Sequence, residues 1–431
     1  SHPVYGAPVQ ISEKMVLDSV KRMKIGKAAG PSGVVAEMLK ASGPKCMSLL
    51  TQFMNHIIKE GSTPKEWDQS YITNCFKGKG DALERGNYRG LKLLDQVMKV
   101  LERITEKQIR ARVDINEMQF GFMPGRGTID AIFIVRQLQE KYLIKNRTLY
   151  FAFVDLEKAF DRVPREVLWW AMRRTGVDEW IVSIVQSMYC NATSRVCVGN
   201  TYSDPVDVKV GVHQGSVLSP LLFIIVLEAL SREFGMRCPW ELLYADDLVV
   251  IADTLEDLKI RLCTWKSHME NKGLRVNMGK TKVMCSGKDM NILKDMGKYP
   301  CGVCRTGVGS NSIYCSGCAH WVHKTCSGIP GRLREDPTFR CSRCRGTARP
   351  IDGRPFEHVI IDNHQLEVVE KFCYLGDTIS AEGGSLSSIT ARCRAAWGKF
   401  RELLPILTCR SLSLHTRGRV YAACVRSVML Y

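Results

Sequence analysis

LLYADDLVVIA, residues 242–252, decides how the rest of the chain is read. Two adjacent acids, Asp246 and Asp247, stand between apolar runs: Leu242 and Leu243 lead in, and Leu248, Val249, Val250 and Ile251 lead out. Such runs predict two β-strands with the acids between them. A hairpin tip of this kind holds negative charge at a fixed point on a rigid sheet. Two carboxylates side by side are costly to bury unless a cation neutralises them. Hard oxygen ligands suit magnesium. A solvated surface turn is the competing reading, and this motif alone does not separate the two.

A second acidic strand favours the metal. Residues 149–163 read LYFAFVDLEKAFDRV. Tyr150, Phe151, Phe153 and Val154 make a β-prone run that ends at Asp155, and a helical start follows. Two strands that each present acids to one point are what two-metal phosphoryl chemistry needs.

These stretches belong to an ordered series. FVDLEKAFDRV is followed by GVHQGSVLSPLLF at 211–223, LLYADD, GLRVNMGKTKVM at 273–284 and FCYLGDTIS at 372–380. Upstream stand KIGKAAGPSGVVAEMLK at 24–40, NYRGLKLL at 87–94 and QFGFMPGRGTIDAI at 119–132. The series resembles the motifs of reverse transcriptases, most closely those of non-LTR (LINE-like) retrotransposons, over roughly residues 20–290 and 355–431.

The resemblance implies an α+β right-hand polymerase with fingers, a palm built on an antiparallel sheet, and a thumb. It implies that Asp155, Asp246 and Asp247 are catalytic and hold two Mg²⁺. It assigns nucleotide contacts to Lys77, Arg89, Gln214 and Gly215. Phe160, five residues beyond Asp155, takes the position of the ring that packs under the sugar and excludes a 2′-hydroxyl; a place in the core is its other reading. Lys280 or Lys282 matches the basic residue near the leaving pyrophosphate, and Lys280 is the expected site residue. Asp161 is expected to point elsewhere as a turn or cap residue. Leu375 and Gly376 match the turn of the hairpin that grips the primer end. Relatives usually carry Arg at His213, Cys-Pro at Ser216-Val217 and Asp at Ser32.

Composition agrees. A chain of 431 residues can hold two or more domains. Lys plus Arg number 61 against 44 acids, a net charge of +17, which points to a polyanionic partner, most simply nucleic acid. The opening SHPVYGAPVQ has no signal-peptide pattern and reads as cut from something longer. The longest apolar run, VLSPLLFIIVLEAL, contains Pro220 and Glu228 and falls short of the roughly 20 residues that span a bilayer. Eighteen cysteines without a secretory signal suggest thiols and metal rather than disulfides.

Local patterns place the remaining pieces. Ser12 is the expected N-cap of a helix over ISEKMVLDSVKRM. Tyr71–Phe76 and Leu91–Leu94 are expected strands around a Lys77–Gly80 turn that carries Lys79. Leu255, Leu258, Leu262 and Trp265 have helical spacing and are expected in a core. Val276 is expected to open a strand. Arg392, Arg394, Lys399 and Arg401 lie on a basic helix suited to a duplex backbone.

Residues 301–344 change character. They read Cys301-x2-Cys304, ten residues, Cys315-x2-Cys318, four residues, His323-x2-Cys326, fourteen residues, Cys341-x2-Cys344. Eight soft ligands suffice for two tetrahedral zinc sites. The order resembles a PHD-type finger. That resemblance implies a cross-braced pairing: Cys301, Cys304, His323 and Cys326 on one Zn²⁺, and Cys315, Cys318, Cys341 and Cys344 on the other. So short a module has little core, and the metal would be its main source of stability. Trp321 is expected inside it. Ser316 and Gly317 replace the acid that often follows the third Cys, which counts against histone reading.

The expected layout is fingers and finger–palm elements over 1–145, palm over 146–290, the inserted finger over 296–348, the end of the palm with the primer-grip hairpin over 355–384, and an incomplete thumb over 385–431. No endonuclease or RNase H constellation is legible. The expected function is an RNA-directed DNA polymerase of a retrotransposon, extending a primer 3′-OH with dNTPs. Its partners would be an RNA template, a DNA primer and their duplex, with protein or chromatin contact through the finger and no membrane. An intracellular site, nucleus or cytoplasm, is expected. The alternative is a catalytically idle nucleic-acid-binding remnant of such an element.

Overall fold

A computed structural model describes residues 3–78, 80–199, 201–234, 241–287, 299, 301–304, 307–345 and 359–430. Lys79, both junctions of the inserted finger and Tyr431 lie outside them. The strands in chain order are β1 (Gln69–Phe76), β2 (Tyr88–Leu93), β3 (Leu149–Val154), β4 (Thr193–Val198), β5 (Thr201–Tyr202), β6 (Val206–Asp207), β7 (Glu241–Tyr244), β8 (Asp247–Ala252), β9 (Lys282–Ser286), β10 (Ser312–Cys315), β11 (His320–His323), β12 (Ile360–Ile361), β13 (His364–Gln365), β14 (Glu367–Val368), β15 (Lys371–Tyr374) and β16 (Asp377–Ser380). Helices and sheets are mixed, and the chain divides into two compact units.

The first unit holds Ser1–Gly127, Leu156–Leu248 and Trp265–Val276. Its helices start where the sequence supplies caps. Ser12 Oγ accepts from the Met15 amide ahead of Glu13–Lys21, and Asp95 Oδ1 accepts from the Val97 amide ahead of Gln96–Arg110. The helix Ser219–Phe234 is buried on all sides from Leu221 to Leu230, so it carries apolar residues around its whole circumference rather than on one stripe. Beside these helices, β1 pairs antiparallel with β2 and parallel with β4, which carries β5 and β6 at its other edge.

The second unit holds Thr128–Asp155, Val249–Thr264 and Asn277–Tyr431. Its sheet runs β14-β9-β3-β8. All six residues of β3 are buried, as a strand covered on both faces requires. β3 runs antiparallel to β9, with Phe151 opposite Met284 and Phe153 opposite Lys282. Phe153 stacks on Phe372 of β15 at 4.1 Å between ring centroids. β15 and β16 form an antiparallel hairpin next to the helix Leu386–Leu407.

The expected strand at Val276 begins later. Asn277–Thr281 forms a turn closed by Lys280 N and Thr281 N donating to Asn277 O at 3.2 and 2.9 Å, so β9 opens at Lys282. Val276 makes only an isolated bridge to Leu156.

Candidate active site and zinc centre

Within the second unit, Asp155 follows β3 directly. Its carbonyl accepts from the Asn277 amide at 2.8 Å, which ties the strand end to the Asn277–Thr281 turn. That turn brings Lys280 Nζ to 3.5 Å from Asp155 Oδ2. Oδ2 is itself buried and has no hydrogen-bond partner among the described residues. The lysine contact is therefore one of charge rather than a made hydrogen bond. A shielded carboxylate oxygen without a donor fits a metal ligand, because a cation supplies what the fold withholds. The two candidate lysines separate here: Lys282 Nζ is engaged by Glu367 at 2.5 Å and Gly279 O at 2.9 Å, and Lys280 faces the acid.

Within the first unit, a two-residue turn, Ala245-Asp246, leads from β7 to Asp247, the first residue of β8. Ala245 is left-handed at φ 56° and 3 % exposed, while Asp246 and Asp247 are exposed. Exposed carboxylates on a short, tightly backed turn present hard oxygens at low desolvation cost.

The expected nucleotide contacts share this first unit. Lys77 and Arg89 lie at the loop end of the β1–β2 hairpin, where Lys77 Nζ caps the Gly86 carbonyl at 2.7 Å and Arg89 is exposed. β2 meets the GVHQG loop through Lys92 N donating to Gln214 O at 2.8 Å. Gly215 sits at φ +112°, and a Cβ there would stand 2.5 Å from Lys92 O, so the close approach requires glycine. Phe160 is half-buried and stacks on Phe223 at 4.8 Å. One face of the ring packs inward.

Asp161, expected to point elsewhere as a turn or cap residue, stands in the short helix Ala159–Arg162 and faces the Gln214 loop. Its Oδ1 accepts from Gln214 Nε2 at 2.7 Å and orients that amide. Glu102 also supports this loop, a role that sequence reasoning missed. It is 1 % exposed, and its carboxylate accepts from Ser216 Oγ at 2.6 Å and from the Val217 amide at 2.9 Å, so it anchors the loop behind Gln214. The off-pattern His213 is core: 3 % exposed, stacked on Tyr189 at 4.2 Å, with neither ring nitrogen hydrogen-bonded among the described residues. Burial, then Lys92 and Arg165, push its pKa well below the usual value, so the ring is neutral. Burial and Arg165 bring Lys92 itself down to about 8.

In the second unit, Leu375 and Gly376 form the turn of the β15–β16 hairpin, left-handed at φ 50° and 83°. Asp377 behind it is buried. It accepts from Arg136 Nε and Nη2 at 3.1 and 2.8 Å, from Arg392 Nη2 at 3.2 Å and from Ser388 Oγ.

The cysteine-rich module gathers two clusters, Cys301, Cys304, His323 and Cys326, and Cys315, Cys318, Cys341 and Cys344, each with ligand atoms within 4.8 Å of one another. Tetrahedral zinc with bonds of about 2.3 Å to sulfur requires sulfurs about 3.8 Å apart. The Cys315–Cys344 and Cys318–Cys341 separations are both 3.8 Å. His323 Nε2 donates to Gly307 O at 2.9 Å, which leaves Nδ1 facing Cys304 at 3.3 Å and Cys326 at 3.9 Å. Burial opposes charge on Cys301, yet the amides of Cys304, His323 and Val303 bring its thiol down to about 6. Burial and the neighbouring Cys304 push Cys326 up to about 12. In each cluster the fold favours ionisation of one thiol, Cys301 in the first and Cys315 in the second, and full ionisation of the set calls for a dication. The donor geometry and chemistry fit zinc.

Trp321 is not in the module's core. It is 41 % exposed and meets Tyr314 edge-on at 5.4 Å across the β10–β11 hairpin, whereas Ile313, Val322 and Phe339 fill the interior with the buried cysteines. Strand alternation puts Val322 inward and therefore Trp321 outward.

Residues 77–301 match the family model for reverse transcriptase (RNA-dependent DNA polymerase), and residues 301–344 match that for the PHD-finger. The chain is 26 % identical over 288 residues to a retrovirus-related Pol polyprotein from the type-1 retrotransposable element R2 of Nasonia vitripennis, covering 64 % of this chain and 28 % of that protein. It is 22 % identical over 431 residues to a probable RNA-directed DNA polymerase from transposon BS of Drosophila melanogaster, covering 98 % of this chain and 42 % of that protein. A transposon TX1 uncharacterized 149 kDa protein of Xenopus laevis is 25 % identical over 299 residues, 65 % of this chain and 22 % of that protein. The chain thus spans less than half the length of these relatives. No described helix is long and apolar enough to cross a membrane. Ordered acids, the Gln214 loop and the family match over half the chain lead to one conclusion: the chain belongs to the reverse transcriptase (RNA-dependent DNA polymerase) family, in its non-LTR retrotransposon branch, and carries a PHD-type finger.

Proposed function

We propose that the chain is the polymerase portion of a retrotransposon protein and extends a primer 3′-hydroxyl with dNTPs on an RNA template. What carries this is the match of residues 77–301 to the reverse transcriptase family model, together with Asp155 Oδ2, a buried carboxylate oxygen with no hydrogen-bond partner among the described residues. On this reading Asp155, Asp246 and Asp247 are the catalytic carboxylates of a right-hand palm over 146–290. Residues 1–145 form the fingers, 355–384 the end of the palm and 385–431 part of a thumb. Two bound Mg²⁺ would acidify the primer hydroxyl and neutralise the triphosphate and the departing pyrophosphate.

The chain's own residues do the rest. Arg89 and Lys77 hold the incoming triphosphate, Arg89 by a planar fork and Lys77 as a point charge. Gln214, oriented by Asp161, and Gly215 position the nucleotide against the template base. Phe160 closes the space beneath the sugar. Lys280, beside Asp155, stabilises charge that develops on the leaving group. Leu375 and Gly376 seat the primer end. The finger holds two structural Zn²⁺, and its exposed Tyr314–Trp321 pair offers a surface for protein or chromatin contact.

The test is extension of a DNA primer annealed to an RNA template, with dNTPs and Mg²⁺. Template-dependent products that vanish with chelator support the reading. Tight template binding without extension, in a protein that also carries the full length of the relatives, supports an idle remnant instead.

A further inference from the structure

The acidic turn does not hold its shape alone. Ala245 is a non-glycine residue at φ 56°, a conformation that costs about 1 kcal/mol or more and persists only where neighbours fix it. Within the first unit, those neighbours come from a segment more than a hundred residues upstream. Leu243 N donates to Met118 O at 3.0 Å, and Phe120 N donates to Leu243 O at 2.8 Å, so residues 118–120 run alongside β7. Between them stands Gln119, 2 % exposed. Its Oε1 accepts from the Gly121 amide at 2.9 Å and from the Ala245 amide at 3.1 Å. Both neighbours are N–H donors, so the amide oxygen must be the atom facing them. Gly121 completes the support from the other side: a Cβ there would lie 2.4 Å from Ala245 N.

We infer that Gln119 is a positioning residue for the acidic turn: its side-chain oxygen fixes the strained Ala245 amide and thereby the direction of the Asp246 carboxylate. The proposal rests on the reading of Asp246 as a metal ligand. The geometry gives it a function that ordinary core packing lacks. A single acceptor bridges the supporting segment and the residue immediately before the acid, and no other partner of the Ala245 amide is recorded among the described residues. Losing that acceptor frees the turn to relax toward negative φ and swings the carboxylate.

The test uses Gln119→Met, which keeps the length of the side chain and removes the acceptor. Mn²⁺ binding to the substrate-free protein, followed by the resonance of the free ion, should weaken about ten-fold, as it does when an outer partner of a metal ligand is lost. In primer extension the half-saturating Mg²⁺ concentration should rise and kcat should fall, while KM for dNTP stays put because Arg89 and Gln214 are untouched. Gln119→Glu retains the acceptor and should bind Mn²⁺ like the parent. Parental Mn²⁺ binding and kcat in a folded Gln119→Met overturn the proposal. Should Gln119→Met fail to fold, Gln119→Glu decides: ten-fold weaker binding in that variant overturns it. Asp246→Asn runs alongside. If that variant still extends primers, the reading of the site fails first; if it is inert while Gln119→Met is parental, only the role of Gln119 falls.

Discussion

Asp377 closes the hairpin proposed to seat the primer, and its removal has a calculable effect. Its side chain is 6 % exposed and receives four donors: two from Arg136, one from Arg392 and the Ser388 hydroxyl. Asp377→Ala strands two guanidinium groups that are 18 % and 26 % exposed. Breaking a buried charge pair from one side costs about 3–5 kcal/mol. Both arginines reach some water, and Arg136 keeps the Gly384 carbonyl at 2.7 Å, so the lower end applies, about 3 kcal/mol. For a unit of this size that is a fall in Tm of about 6–12 °C. Asp377→Asn should do nearly as badly, because its amide group points donors at donors.

The same carboxyl gives a pH signature. Burial alone would raise its pKa, but Ser388, Arg136 and Arg392 hold it below the usual range. A lowered native pKa stabilises above the unfolded value of about 3.9, and that contribution is lost as pH falls through the native value. Acid unfolding of the parent should therefore be steeper below about pH 4 than that of Asp377→Ala. Thermal and acid unfolding followed by circular dichroism read both effects. A loss under about 1 kcal/mol, or a neutral Asp377→Asn, would refute the reasoning.

Three further outcomes follow from other parts of the molecule. Chelation should strip two equivalents of zinc and unfold residues 301–344 while the β3 sheet persists; retained finger signal in metal-free protein would contradict the ligand assignment. Glu102→Gln should cost about 1–3 kcal/mol by setting an amide donor against Ser216 or Val217, and should raise KM for dNTP; an unchanged denaturation midpoint would show that the loop is held otherwise. Phe160→Ala should lower the preference for dNTP over rNTP by about 10–100-fold, read as a ratio of kcat/KM values; an unchanged ratio would leave the ring as packing alone.

What the sequence made legible was chemistry carried by short spacings. The paired cysteines sit two residues apart because one metal must reach both, and the gathered clusters match that pairing. Asp155 after an unbroken apolar strand, and Asp246-Asp247 between two such strands, follow from period and polarity alone. The contacts that escaped notice act across long separations. Asp161 lies 53 residues from Gln214, Glu102 lies 114 from Ser216, and Gln119 lies 126 from Ala245. Nothing local marks such residues: a glutamine before an aromatic, or a glutamate inside an amphipathic helix, reads as surface until its partner is known. Trp321 was misplaced for a related reason. In so small a module the metal clusters and three apolar residues already fill the interior, and the large ring is left outside.

The central claim is that Asp155, Asp246 and Asp247 act as one metal-binding set for nucleotidyl transfer. Single-turnover primer extension on an RNA template with Asp246→Asn tests it most directly, beside a binding assay with the same duplex. Asp246 is exposed, so the substitution leaves packing intact. The account expects duplex affinity and thermal unfolding like the parent's and extension lost by several orders of magnitude. Extension at the parent's rate by the folded variant would contradict it.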